Sequence, residues 1–411
     1  MFVNSFLSSL KGKGSLIIII IIAIFNIFSD CSESSSPSDP TSGSVSFLMG
    51  YKGGGDFGAN PGMVLVSAGG SVSLVSEYYP VSSRTAYVDI NKGRIAMAAH
   101  NPPEGYSSIA YMDVNNLSDI KFIMLPKPSD TNFYWTTPLV RPQVMSDGRI
   151  IFKVEYTCKQ DWNYYPDGQL AIYDPANDSL EFSGSLSDFV LGQPEQGPDT
   201  ELGRMGNSFA LSPDESFVCL NAFGAGIDMA QWHTDYQFIV KYDLLNKEYK
   251  RVIEGNNIVL FVSSDNSSVI AKVNDHQKYN VNINDGSMVN IDVGDDFNPL
   301  SVGQYSKKSN KFFKAWCCGG ISLYDVNTGW LYDQILADNM TSYNGLGQGA
   351  QFSDDESKIY FKGLRYRTHD YSQDFAVFST PLSLGKTDAN PDTLFTLPIV
   401  YATNLFLLLH N

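Results

Sequence analysis

The sequence predicts an all-β protein built from repeated four-stranded antiparallel units. Three observations carry that prediction. Apolar residues of helical period do not run over more than ten residues anywhere in the 411-residue chain, whereas short apolar runs alternate with turn residues throughout. Aromatic content is 13%, with 23 Tyr and 25 Phe, which suits strands better than helices. One pattern also recurs. In residues 209–253 an apolar strand enters the turn Ser212-Pro213-Asp214-Glu215-Ser216, and a second strand follows over 217–222. A long loop rich in Gly, Trp and His leads to a third strand at 237–242, and Asp243 opens a turn toward a fourth at 249–253. Four antiparallel strands with tight first and third turns and a long second loop make one blade of a β-propeller.

Taken in order, residues 62–77 read as a strand pair around Gly69-Gly70, a hairpin signal. Residues 85–100 form a pair turning at Asn91-Lys92-Gly93, and 107–124 close that blade with a turn near Asn115-Asn116. The next blade pairs 141–156 around Ser146-Asp147-Gly148 with 168–182 around 175–178; the unit at 209–253 is the third. A fourth uses 258–273, turning at Ser264-Asp265-Asn266, and 279–293, turning at Asp285-Gly286. A fifth uses 300–316 and 321–335, turning at Asn327-Thr328-Gly329. A sixth uses 349–364, turning at Asp354-Asp355-Glu356, and 375–397, with a longer insertion in its outer turn. First strands start near 85, 141, 208, 257, 299 and 348, spacings that bracket the propeller repeat of roughly 40–50 residues. Residues 402–410 supply one further strand, and 45–51 with 62–77 supply three. One plus three completes a blade, and pairing the C-terminal strand with the N-terminal strands closes the ring without an exposed edge. Seven four-stranded blades are favoured; six or eight stay open, because short strands are easily miscounted.

The N-terminus predicts export. Lys11 and Lys13 precede an apolar run over 16–28 interrupted only by Asn26, shorter than the roughly 20 residues of a bilayer span and suited to the core of a signal peptide. Cys31 follows, then a Ser/Pro/Asp tract over 32–44 with no large apolar side chain. The arrangement resembles a bacterial lipoprotein signal, in which the Cys becomes the lipidated first residue; the residue before it is Asp30 here, where a small one is usual. Cleavage without a lipid and a retained anchor are the alternatives. The expected organisation is a signal peptide at 1–30, a disordered tether at 31–44 and a single propeller domain at 45–411. The resemblance implies an outer-membrane-anchored lipoprotein of a Gram-negative cell envelope, held to the membrane through Cys31.

Formal net charge is −16, which argues against nucleic acid, because phosphate binding needs clustered Lys and Arg. Removing 1–30 takes away Lys11, Lys13 and Asp30, so the mature charge is −16 − 2 + 1 = −17. Beyond Cys31, four cysteines remain, Cys158, Cys219, Cys317 and Cys318, with no C-x-x-C spacing and so no support for zinc or thioredoxin-like chemistry. Adjacent Cys317 and Cys318 read as thiols at a strand end, with a strained vicinal disulfide as the alternative.

The turn sequences resemble a known repeat. The runs Leu211-Ser-Pro-Asp-Glu-Ser-Phe-Val218 and Phe352-Ser-Asp-Asp-Glu-Ser-Lys-Ile-Tyr-Phe361, with Met145-Ser-Asp-Gly-Arg-Ile-Ile-Phe152, are similar to the S-P-D-G-x-x-I-x-F motif of TolB-type "PD40" propeller repeats. Tyr173-Asp174, Tyr242-Asp243 and Tyr324-Asp325 resemble the end of the third strand in the same repeats. The resemblance covers about six short windows and implies architecture, not function; no helical pattern supplies the extra α/β domain of TolB itself.

Strand direction sorts the loops. First-to-second and third-to-fourth turns share one face, where Asp147, Asp174, Asp214, Asp243, Asp325 and Asp354 read as turn formers that bond their own backbone. The other face carries long loops, where binding usually resides on a rigid scaffold. The candidate ligand-binding residues there are His100, Trp162, Tyr164, Asp228, Trp232, His233, His276, Trp316, Arg365, Arg367 and His369. Trp135 falls in a blade connection on the same face. Aromatic rings with polar tips suit sugar rings or protein hot spots; the bland alternative is that they cover the ends of the strands. No nucleophile elbow, H-E-x-x-H, phosphate loop or complete calcium loop occurs, and no cofactor, metal or catalytic residue is expected. The sequence therefore favours a non-catalytic binding protein for a protein or glycan. A glycan lyase or hydrolase on the same face, or a structural subunit of an envelope complex, remain alternatives.

Overall fold

A computed structural model of the chain describes residues 45–52, 61–77, 88–99, 108–126, 133–136, 142–158, 168–184, 202–225, 237–254, 257–273, 277–290, 302–306, 308–309, 311–315, 320–325, 329–336, 340–341, 350–366, 373–381, 388–389, 392–398 and 405–410. The chain divides into two units, 1–43 and 44–411, and the described residues all lie in the second. The expected signal peptide, Cys31 and the tether lie outside them.

The protein is all-β, and its described strands form seven sheets, numbered I to VII here in chain order. Sheet I joins the two ends of the domain: Phe406–His410 pairs with Val45–Tyr51, followed outward by Gly62–Ser67 and Val72–Ser76. Sheet II runs Val88–Asn91, Arg94–Ala99, Ser108–Asp113, Asn116–Ile123. In sheet III the first strand is broken into Phe133–Thr136 and Gln143–Val144, both on Ile150–Cys158, with Gly168–Asp174 and Ser179–Phe182 beyond. Sheet IV is Leu202–Leu211, Phe217–Ala225, Gln237–Asp243, Glu248–Glu254, and sheet V is Asn257–Val262, Ser268–Val273, Gln277–Asn282, Met288–Asn290. Sheet VI holds Val302–Ser306, Lys311–Ala315, Gly320–Asp325 and Gly329–Leu336. Sheet VII has another broken first strand, Met340–Thr341 and Ala350–Phe352, then Lys358–Tyr366, Gln373–Pro381 and Asp392–Leu397. The insertion expected in its outer turn sends Asp388–Ala389 to the open edge of sheet VI, where it pairs in parallel with Ile335 and Leu336.

Two expectations are corrected. Trp135 is not in a connection but in the first strand of sheet III, opposite Tyr156; the run Phe133-Tyr-Trp-Thr136 is itself a strand signal. Arg365 is not in a loop either: the second strand of sheet VII continues to Tyr366, and Arg365 pairs with Asp374.

The turns repeat one piece of chemistry. Asp147, Asp214, Asp265 and Asp355 each accept the backbone N–H two residues on, at 3.0, 3.1, 3.0 and 3.0 Å. Asp174 and Asp243 do the same at 2.9 and 3.0 Å. In sheet VII the acceptor is therefore Asp355 and not Asp354, because the turn is counted from Ser353, whose N–H closes on Lys358. The Ser353 hydroxyl and the Ser357 N–H hold the Asp355 carboxyl down at about 2.

The next residue in each turn is left-handed: Gly148 (φ 89°), Glu215 (60°), Asn266 (61°) and Glu356 (57°). That conformation costs a non-glycine residue about 1–2 kcal/mol, and each of these residues meets the preceding sheet. Glu215 accepts from Ser146 N and Oγ at 2.6 and 2.7 Å. Asn266 Oδ1 accepts from Asp214 N at 3.3 Å, and Glu356 accepts from the Ser306 hydroxyl. Gly148, with no side chain, offers its carbonyl to Arg94 Nη1 at 2.8 Å.

Strand alternation puts apolar residues on both faces of the sheets, so successive sheets share cores. Phe47, Val377, Phe395 and Phe406 join sheets VII and I; Leu48, Met97 and Leu407 join I and II. Ala98, Phe152 and Tyr173 join II and III; Ile151, Leu170, Phe209 and Leu220 join III and IV; Cys219, Ile239, Val269 and Ala271 join IV and V. Two glutamines add strand-like bonds across these faces. Gln143 of sheet III donates to Phe209 O (3.2 Å) and accepts from Leu211 N (2.8 Å) of sheet IV. Gln351 of sheet VII likewise donates to Phe406 O (3.3 Å) and accepts from Leu408 N (2.7 Å) on the C-terminal strand.

Gln351→Leu strands the Phe406 carbonyl and Leu408 N–H in a buried seam, which lowers stability by about 2 kcal/mol; chemical denaturation reads this, and Gln143→Leu costs a similar amount at the III–IV face. A second prediction concerns Lys362, which burial brings down to about 7 from 10.5. For a base whose folded value is lowered, the unfolded chain holds more protons across that window, so stability rises with pH through it; below the folded value the penalty is present in full. Urea midpoints therefore rise from about pH 7 toward about pH 10.5, and Lys362→Met flattens that rise.

Candidate functional site

The meander fixes which strand ends meet. In sheets II to VII every described second strand leaves a first turn and ends where the second-to-third connection begins, so those connections share one end of their sheets. In the sequence the eleven candidate residues fall in those connections or in the strand that leads into one. His100 follows the second strand of sheet II, Trp162 and Tyr164 that of III, and Asp228, Trp232 and His233 that of IV. His276 follows that of V, Trp316 that of VI, and Arg367 and His369 that of VII. These ten lie outside the described residues; Arg365 lies inside them, in the strand that leads to Arg367.

The second strands of III, IV and VII each hold nine residues, against six, six and five in II, V and VI. The last described pairs of the three nine-residue strands are these. In sheet III, Trp135 stands opposite Tyr156, Tyr134 opposite Thr157, and Phe133 opposite Cys158. In sheet IV, Phe223 stands between Arg204 and Gln237. In sheet VII, Arg365 stands between Met340 and Asp374, and Tyr366 faces Gln373.

Beneath these segments lies a buried polar position that sequence reading missed. Lys153, Asn221 and Lys362 are 1%, 3% and 7% exposed. Each is the fourth residue after the one whose carbonyl closes the first turn, Arg149, Phe217 and Lys358. Their cross-strand partners Leu170, Ile239 and Val377 belong to the cores shared with the following sheet, so each polar side chain is on that side. Lys362 Nζ donates to Leu405 O at 3.3 Å and lies 5.9 Å from the Phe406 ring. The signal was legible: Phe152-Lys153-Val154 and Phe361-Lys362-Gly363 put a cation where alternation calls for an apolar residue.

Other reactive groups are tied into the scaffold. Tyr173 donates to Asp178 Oδ1 at 2.8 Å and lies 3.3 Å from the Tyr111 hydroxyl. Burial, with those two neighbours, raises its phenol. Cys219 is a free, fully buried thiol, pushed up to about 12 by burial. Among the described residues no group of three or more His, Cys, Asp or Glu could hold a metal ion, and no helix is long and apolar enough to cross a membrane. Cys158 has no described side chain, and Cys317 and Cys318 lie outside the described residues.

No protein-family model matches the chain, and no curated protein sequence matches it. Solved structures do. TolB from Acinetobacter baumannii is 13% identical, with 80% of this chain and 79% of that chain covered and a TM-score of 0.39. A periplasmic gluconolactonase of Pseudomonas aeruginosa is 12% identical over 85% and 98%, with a TM-score of 0.44. An oligogalacturonate lyase from Vibrio parahaemolyticus is 12% identical over 77% and 87%, with a TM-score of 0.46.

Thiolate chemistry at Cys219 is excluded by burial. Iodoacetamide at neutral pH leaves Cys219 unmodified in the folded protein and alkylates it in urea; peptide mass spectrometry reads both states.

Proposed function

We propose that the chain is an exported, envelope-anchored lipoprotein that binds a protein or glycan through the loop-bearing end of a seven-bladed propeller. The observation that supports the binding reading is topological: the described second strands of sheets II to VII end at the same side of their sheets, and in the sequence the aromatic, histidine and arginine candidates fall in the connections that follow them. The ring reading is supported by sheet I, made of both ends of the domain, and by cores that link VII to I and each of I to IV to its successor. Seven blades closed by the C-terminal strand leave no open ring edge. The anchor is Cys31, behind the apolar run at 16–28, with a Ser-rich tether that holds the acidic domain at an outer membrane.

Two measurements test this. Mass spectrometry of the mature N-terminus finds a diacylglyceryl-modified Cys31; an unmodified terminus at another residue removes the anchor. A glycan array run beside a pull-down from envelope extracts finds a ligand that the double variant Trp232→Ala/His233→Ala loses by tenfold or more, about 1.4 kcal/mol. Capture that the double variant retains in full moves the site off this end.

A further inference from the structure

We propose that the domain is held to its anchor by its turn end, opposite the loop-bearing end, so that the loop-bearing end is presented away from the anchoring membrane to a partner beyond it. The inference rests on the Cys31 anchor of the proposed function and gives it a direction. It starts from sheet I, where the domain begins. Val45 opens the second strand of that sheet and pairs with His410, at the end of the first strand. Gln143 of sheet III donates to Phe209 O and accepts from Leu211 N of sheet IV, and Leu211 runs directly into the first turn at Ser212. Gln351 of sheet VII makes the same two bonds to sheet I, at Phe406 O and Leu408 N. Phe406–His410 therefore runs toward the turn end as Leu202–Leu211 does. Val45 and His410 stand where the other sheets have their first turn. The hairpin of sheet I, closed by the Ser67 N–H on Ser71 O, lies at the same end. Residue 44 thus enters the domain at the turn end.

Lengths decide what that entry does. The second strand of sheet I, Val45–Tyr51, holds seven residues, roughly 20 Å at 3.3 Å per residue. Residues 31–44 number 14, and a Ser-rich coil of that length has an r.m.s. span of roughly 20 Å. Bringing the loop end to the bilayer requires the tether to run back along the full depth of the sheet, which takes its whole mean span. Keeping the turn end toward the bilayer requires nothing of it. Charge does not reverse this. Asp147, Asp265 and Asp355 are exposed at the turn end, but screening at physiological salt acts over about 8 Å, well inside that span. The side chains of the turn end are also engaged already. Glu215, Asn266 and Glu356 bond the neighbouring turn, and Asp147, Asp214, Asp265 and Asp355 bond their own. The occupant of the loop end is therefore not the headgroup surface of the anchoring bilayer.

The test holds the chain from Cys31 onward on phosphatidylcholine vesicles through a hexahistidine tag ahead of residue 31 and a nickel-chelating lipid, so that it does not depend on lipidation. Energy transfer from a donor dye to a lipid-borne acceptor reads the height of one position at a time. An azide-bearing residue places the donor. Asn115→p-azidophenylalanine and Leu245→p-azidophenylalanine mark the turn end; Lys52→p-azidophenylalanine and Met124→p-azidophenylalanine follow strands that finish at the loop end. All four side chains are exposed. The proposal expects both turn-end donors to lie about 20 Å nearer the bilayer than the loop-end donors. Two positions at each end keep the reading where one variant fails to fold. Equal heights, or loop-end donors nearer the bilayer, overturn the direction and leave the anchor and the loop-end binding reading standing. A mature terminus other than Cys31 removes the anchor and the direction together. Co-flotation of the untagged chain with phosphatidylcholine or phosphatidylglycerol vesicles overturns the partner beyond the membrane.

Discussion

Phe406–His410 and Val45–Tyr51 are the two ends of the domain, and they form one ladder from Val45–His410 to Met49–Phe406. The first strand of sheet I is thus delivered by the last residues of the chain. Its apolar side chains serve two cores: Phe406 and Leu408 pack toward sheet VII, and Leu407 and Leu409 toward sheet II. Gln351 adds two bonds to the same strand, and Lys362 adds a third at Leu405. Without this pairing, sheet I loses its first strand, and sheets VII and II each lose one wall of a core. Leu405 and Phe406 are fully buried.

The remaining sheets are held by the same two devices in different proportion. Shared apolar faces supply most of the stability, since each fully buried large side chain contributes about 1.5–3 kcal/mol. The turn ties supply registration. Ser146 with Glu215, Asp214 with Asn266, and Ser306 with Glu356 each lock a left-handed turn residue to the neighbouring turn. This explains why a Glu or Asn is tolerated where Gly is the usual choice: the strain at that residue is offset by a bond to another sheet.

Much of the architecture was legible because it rests on local chemistry. A Ser-x-Asp turn between two apolar runs needs no distant partner to form, since the Asp side chain bonds the N–H two residues on. Counting those turns located the repeats. Reading failed where a strand's identity depends on a distant partner. Phe133–Thr136 is a strand because Ile150–Cys158 extends far enough to pair with it. Arg365 is in a strand because Asp374 and Met340 meet it from both sides. Asp354 was mistaken for Asp355 because the turn length of sheet VII is set by the closure of Ser353 on Lys358.

Alternation, turn residues and the apolar chain ends already specify an all-β chain of repeated four-stranded units, because each follows from contacts within a few residues. That Lys153, Asn221 and Lys362 lie buried follows from packing between sheets. Those contacts join residues far apart in the chain, such as Lys362 and Leu405. Their energy appears only when the sheets are packed, and no local pattern records it.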